Sequence, residues 1–258
     1  MALIKTTEEI DRMRRGGFIL SQTMKEVISI VQPGLFFKDL DMVAKNFLTK
    51  MGATPSFQGY QSSPEDIPFP SALCVSINEE VVHGLGNRER RLQEGDVVGL
   101  DLGCWFEGMC TDMAVTVGVG KISHQAEQLI RVTQEALFHG VSAARAGQQL
   151  SCISQAIESA IRPYGYGIVE ALGGHGVGHD VHEPPYIPNF TNHHYKDVTL
   201  TTGMCLALEP MVGLGSCHVR TAEDGWAVLM EDCQISAHAE VTIVIQEEYA
   251  EILTPFPL

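Results

Sequence analysis

Four carboxylates stand inside apolar, β-branched sequence: Asp101 in "VVGLDLG", Asp112 in "CTDMAVTV", Glu209 at the end of "MCLALEP" and Glu240 at the head of "EVTIVI". Acidic residues are depleted in strands and seldom fully buried unless paired. A turn centred between Phe106 and Glu107 would set Asp101 and Asp112 directly opposite each other on adjoining strands, with Cβ atoms about 5 Å apart. Like charges that close need a proton or a cation between them. One such acid alone reads as an edge or turn residue, and Asp101 with Asp112 as a carboxyl pair sharing a proton. Four of them, two in each half of the chain, fit that reading poorly.

A fifth group comes from "GGHGVGHDVHEPP", residues 173–185, with His175, His179 and His182 on a glycine-rich backbone. Glycines let a backbone approach a ligand closely, and a neutral imidazole is a metal ligand or a proton carrier. Four carboxylates and His175 can hold two divalent cations, with bridging carboxylates and room for a water. His124, His139, His193, His194, His218 and His238 read as ordinary surface or core residues.

The elements that must position these groups follow from periodicity and punctuation. Thr6 with Glu9 forms a capping box, and Ile10, Met13, Phe18, Met24 and Ile28 space a helix over about 7–31, stopped by Pro33-Gly34. A second helix is predicted over about 38–50. Residues 53–72, rich in Pro, Ser and Gly, read as a loop. "ALCVSIN" is a short buried strand, and 95–120 reads as a long hairpin interrupted near Glu107-Gly108. Two further helices follow, about 123–145 and 149–162, the first opening at Ser123 and the second closing before Pro163. Strands and glycine-rich loops then alternate to the end. The order helix, helix, strands thus occurs twice with a seam near 120, which suggests one domain over 1–258 built from two related halves, about 1–120 and 121–258. It does not alternate strand and helix as a doubly wound parallel sheet would.

Composition sets outer bounds. With 45% apolar and 19% charged residues the chain is globular. A net charge of −15 and no basic run longer than "RERR" argue against nucleic-acid binding. The charged N-terminus lacks the apolar core of a signal peptide, and no apolar run approaches the length of a membrane span. Seven cysteines, an odd number without a C-x-x-C pair, suit reduced thiols in a cytoplasmic protein.

Taken together, "CVSINEEVVHG", "GDVVGLDLG", "GMCTDMAVTV", "GGHGVGHDVHEPP", "ALEPMV" and "SAHAEVTIVI" resemble the type I methionine aminopeptidases of the M24 metallopeptidase family, from the first helix to "EILTPFP". The resemblance implies an α+β pita-bread fold: a pseudo-two-fold antiparallel sheet covered by helices. It implies two divalent metal ions (Co, Mn, Fe or Zn) on Asp101, Asp112, His175, Glu209 and Glu240, with Asp112 and Glu240 bridging. Water shared by the ions would attack the carbonyl after the first residue, and the substrate's free α-amino group would ligate one ion. His83 would contact substrate and assist proton transfer, His182 would bind the carbonyl oxygen, and Glu209 would carry the proton. Tyr60, Cys74 and Trp226 would wall the methionine slot, with Phe57, Phe69 and Met211 nearby; His179 matches no catalytic position. The implied reaction removes initiator methionine from nascent chains when the next residue is small. The implied protein is a cytoplasmic monomer with transient ribosome association.

The sequence also departs from its relatives. Val181 stands where many bacterial members carry an aromatic residue, Val241 where many carry His, and the 61–71 loop is longer. From the length, the N-terminal domain of creatinase and proline-specific relatives is not expected. Two rivals remain: a metalloaminopeptidase of the same fold with another preference, such as Xaa-Pro, and a non-catalytic binding protein on this fold, which would have no reason to keep all five ligands.

Overall fold

A computed structural model of the chain describes residues 4–61, 63–192 and 194–258. The helices are α1 (Thr7–Ser29), α2 (Phe37–Lys50), α3 (His124–Ala143) and α4 (Ser151–Ile161), so the sequence placed their centres correctly and overran some ends by one or two residues. Both predicted caps form: Thr6 and Glu9 close a reciprocal capping box on α1, and the Ser123 side chain accepts from the Ala126 N–H. Gly34, at φ 89°, turns the chain away after α1.

The main sheet is antiparallel, with strands in the order 54–55, 97–106, 109–118, 240–245, 205–208, 173–176 and 183–188. Strand 74–77 also pairs with 97–106, and strand 250–252 with 240–245. The halves join where 109–118 meets 240–245, through the pairs Ala114 with Glu240 and Met113 with Val241. This is the pita-bread arrangement.

Alternation along each strand decides which side chains face which layer. Val98, Leu100, Leu102, Met113 and Val115 pack under α1 and α2 with Leu20, Met24, Leu40 and Leu48. Leu206, Leu208, Val241, Ile243 and Ile245 pack under α3 and α4 with Leu129, Leu137, Ile153 and Ile157. The intervening residues face the other side of the sheet, where Cys205, Ala207 and Val244 join Met13 of α1 and the apolar residues Phe57, Phe69 and Cys74. Val241 is therefore turned into the helix-side core, away from the carboxylates.

The Phe106–Met109 pair puts the hairpin turn at Glu107-Gly108, one residue later than expected. Asp101 then pairs with Ala114 and Asp112 with Gly103. The two aspartates are diagonal neighbours on one face rather than direct partners. Their shared face, on which the charge argument rests, is unchanged.

Helix α1 lies against the C-terminal segment at Gly17, where an added Cβ would stand 2.1 Å from the Leu253 carbonyl oxygen. Relieving that clash must shift the helix or the chain beneath it. We expect Gly17→Ala to destabilise the protein by about 1–3 kcal/mol, read from the denaturant midpoint; an unchanged midpoint would contradict this packing.

Candidate metal centre and active site

Strand pairing alone gathers the acids. Cys74 pairs with Asp101, Asp101 with Ala114, and Ala114 with Glu240, which makes one row across four strands. Asp112 lies two residues from Ala114, on the same face. Thr242, two beyond Glu240, pairs with Ala207, which in turn pairs with His175. Glu209 follows two residues after Ala207, just past the strand end. The structure thus brings Asp101, Asp112, His175, Glu209 and Glu240 to one cavity, together with His83 and His182.

Local sequence makes this placement possible. The His175 strand squeezes between its neighbours: a Cβ on Gly174 would sit 2.3 Å from the Ala207 carbonyl oxygen. The Asp112 backbone N–H donates to the Thr242 hydroxyl (2.9 Å), which donates back to the Asp112 carbonyl (2.8 Å), locking the two halves at the site. His83 holds a left-handed backbone, φ 58°, of the kind stored at functional sites.

The electrostatics are those of a cluster short of positive charge. Burial and then Asp112 raise Asp101 well above the usual carboxylate range. Burial raises Asp112 to about 7. Glu209 and Glu240 are pushed up by burial and by the neighbouring carboxylates. The imidazoles move the other way: burial lowers His175 to about 3 and His83 to about 4, each further depressed by His182, and lowers His182 itself.

A divalent cation fits this set. Asp112, His175 and Glu240 each offer a ligand atom, all within 4.8 Å of one another. Asp101 Oδ1 and Glu240 Oε1 are buried with no hydrogen-bond partner among the described residues, a costly state that a cation would relieve. The donors are neutral imidazole and carboxylate oxygens, the set expected around first-row divalent ions.

The cavity as a whole measures about 100 Å³, and its apolar side is formed by Phe57, Tyr60, Phe69, Cys74 and Trp226. Phe69 and Trp226 meet edge to face at 5.2 Å. Trp226 is aimed by a turn in which Asp224 accepts from the Trp226 and Ala227 N–H groups. Phe69 N–H donates to the Tyr60 carbonyl and Tyr60 N–H to Phe57, so the loop between returns its ends to the slot. Met211, expected nearby, instead packs with Val81, Val82, Val169 and Met230 in a separate cluster, because its strand pairs with 236–238 outside the main sheet. Val181 is buried in the same apolar group as Phe57, Phe69 and Cys74.

His182 lies 2.7 Å through Nδ1 from the Tyr60 hydroxyl, with its ring 4.4 Å from that of His175. When the hydroxyl donates, Nε2 carries the imidazole proton. The loop that bears His182 is pinned by groups the sequence left without a role. Buried Glu183 accepts from the His179 and Asp180 N–H groups and pairs with Lys5. His179 Nε2 meets Glu9 at 2.8 Å, a hydrogen bond that, with the Thr6 N–H, lowers Glu9 to about 2. His179 is thus a tie between the loop and α1.

Sequence reasoning missed His238. It is buried, with Nε2 3.7 Å from Glu209 Oε2 and 3.9 Å from Glu240 Oε2. Its separation from Glu240 by two residues was the available signal. His124, His139, His194 and His218 are exposed, and His193 lies outside the described residues.

Comparison with known proteins agrees with this geometry. The chain is 42% identical to a methionine aminopeptidase of Clostridium perfringens over 98% of its length and 99% of the relative's. It is 41% identical to methionine aminopeptidase 1 of Bacillus subtilis, with the same coverage. The crystal structure of a Thermotoga maritima methionine aminopeptidase superposes with a TM-score of 0.93 at 37% identity, covering 98% of this chain and 99% of that one. A prolidase from Pyrococcus furiosus, 23% identical with a TM-score of 0.79, shares the fold. The model of metallopeptidase family M24 matches residues 11–247, and the chain belongs to that family.

Proposed function

We propose that this protein is a metal-dependent methionine aminopeptidase that trims the first residue of nascent chains when the second is small. The observation that carries the reading is the convergence of Asp101, Asp112, His175, Glu209 and Glu240 beside an apolar slot flanked by His83 and His182. The five residues would hold two divalent ions. Mn, Fe, Co and Zn all suit such donors. Bound there, divalent metal lowers the pKa of water toward neutrality and polarises the carbonyl.

The chain's own residues do the rest. Tyr60, Cys74 and Trp226 offer the first side chain of the substrate an apolar slot beside the carboxylates. The adjacent carboxylates favour the substrate's free amino terminus, which makes the enzyme an exopeptidase. His182 Nε2–H donates to the carbonyl oxygen as its charge grows, held in that tautomer by Tyr60. Glu209, whose pKa is raised by burial and by Asp101, accepts the proton of the attacking water and passes it to the leaving amine. His83, kept neutral by burial, assists that transfer. Nascent-chain substrates would put its work in the cytoplasm, in transient contact with ribosomes, and the family resemblance implies a monomer.

The direct test is hydrolysis of Met-Ala-Ser and Pro-Ala-Ser by metal-stripped protein with Mn, Co, Fe or Zn restored. Release of methionine only, lost in Asp101→Asn, is expected. Release of proline would replace the specificity, and no release by folded protein would support the binding-protein rival. His182→Ala should lower kcat by about 10²–10³ with a smaller change in KM; a purely KM effect would remove His182 from the chemistry.

Stability carries a second signature. A carboxylate whose pKa is raised on folding binds a proton the unfolded chain has released, so stability falls as pH rises through its folded value. For Asp112 that value is about 7. Above about pH 6.5 unperturbed imidazoles are mostly neutral too, leaving the acids in control. The Tm of metal-stripped protein should therefore fall from about pH 6.5 to 8, and added Mn should flatten the curve. A Tm that rises over this interval without metal would contradict the charge assignment.

A further inference from the structure

His238 is not accounted for by the reading above. Its backbone is fixed from both directions: its N–H donates to the Thr116 hydroxyl (2.9 Å), and that hydroxyl donates to its carbonyl (2.7 Å). Strand pairing with Met211 sets its register. The side chain is only 3% exposed, and Nε2 is buried with no hydrogen-bond partner among the described residues. An orphaned imidazole nitrogen in a packed interior has a cost that calls for a partner.

Two carboxylate oxygens converge on that nitrogen, Glu209 Oε2 at 3.7 Å and Glu240 Oε2 at 3.9 Å. The other oxygen of Glu209 faces His175 Nε2 at 3.4 Å. Glu209 therefore lies between two imidazoles, one addressing each oxygen. Acceptors in front of Nε2 favour the tautomer that carries its proton there. These separations are just beyond hydrogen-bond length, and hydrogen bonds of catalytic groups are often long until the site is filled.

We propose that His238 is a positioning residue of the active site, its Nε2–H donating to Glu209 Oε2 and fixing the orientation of that carboxylate. The proposal rests on the proton-carrying role given to Glu209 above. A carboxylate tied through Oε2 presents its other oxygen to metal and to the reacting water in one orientation. Without His238 it loses that tie and is free to rotate, because His175 donates through Nδ1 to the Gly176 carbonyl and its Nε2 has no proton to give. Partners that orient metal ligands in this way carry weight comparable to the ligands themselves.

The test compares His238→Leu and His238→Gln with the parent. Each would be stripped and titrated with Co while its visible absorption is followed, and kcat and KM for Met-Ala-Ser would be measured alongside Tm. His238→Leu should weaken Co binding and lower kcat by about 10–100-fold each, with KM changed less than kcat. His238→Gln, whose amide can still donate, should recover most of both, and the Co spectrum should keep its shape. Unchanged affinity and kcat in His238→Leu would overturn the proposal, as would equal losses in both variants. A spectrum in His238→Gln that has lost a nitrogen donor would also overturn it, making His238 a direct ligand. Should the leucine variant not fold, His238→Asn, polar but too short to reach Glu209, supplies the same contrast. If the parent binds Co but cleaves no peptide, the functional reading fails while the binding arm still decides the role of His238.

Discussion

The structure depends on one unfavourable interaction: carboxylates crowded together and buried on one face of an antiparallel sheet. Asp101 and Asp112 come from the first half of the chain, Glu209 and Glu240 from the second, and burial raises the pKa of every one. An apolar interior would do better without them, since a buried charge lacking its partner is among the most destabilising features a fold can carry. The helices are committed to the other face, where leucine, isoleucine and valine from the same strands supply the hydrophobic stabilisation. The sheet therefore separates two tasks by alternation alone: one face holds the fold together and the other holds the chemistry.

That division also decides how the site is held. Its groups sit on paired strands rather than on free loops, and the two halves are joined at the site by the Asp112–Thr242 hydrogen bonds. The exceptions are His83 and Glu209, just past strand ends, and His182, on a loop where the chain adds anchors: Glu183 with Lys5, and His179 with Glu9. These anchors reach back to the start of α1, so the first turns of the chain bear on the position of a residue far along the sequence. His238 extends the same logic to Glu209, with an imidazole on each side of the carboxylate.

Much of this was legible in the sequence. An aspartate in "VVGLDLG" is anomalous under any reading, and period-two alternation is enough to put Asp101 and Asp112 on a common face. The resemblance then carried the ligand set and both histidines into one cavity. What failed did so for local reasons. The hairpin turn lies one residue later than expected and the pairing shifts by two, because the positive φ of Glu107 and Gly108 sets the turn at those two residues. Met211 left the slot because its strand pairs outside the main sheet, a long-range choice that periodicity does not encode. His238 was passed over as an isolated imidazole, since its significance lies in Glu209, distant in sequence. Val241 sounds consequential as a neighbour of Glu240, yet the pleat turns it into the opposite core.

The most direct test of the central claim, that the carboxylate cluster is built around divalent cations, is the number of protons displaced when metal binds. Mn would be titrated calorimetrically into stripped protein at pH 7 in two buffers of different ionisation enthalpy. Carboxylates held partly protonated by burial must surrender those protons to the metal. The account predicts net proton release, reduced in Asp112→Asn and Glu240→Gln. Tight binding with no proton release in either buffer would contradict it, because the carboxylates would then have been ionised side by side without a cation.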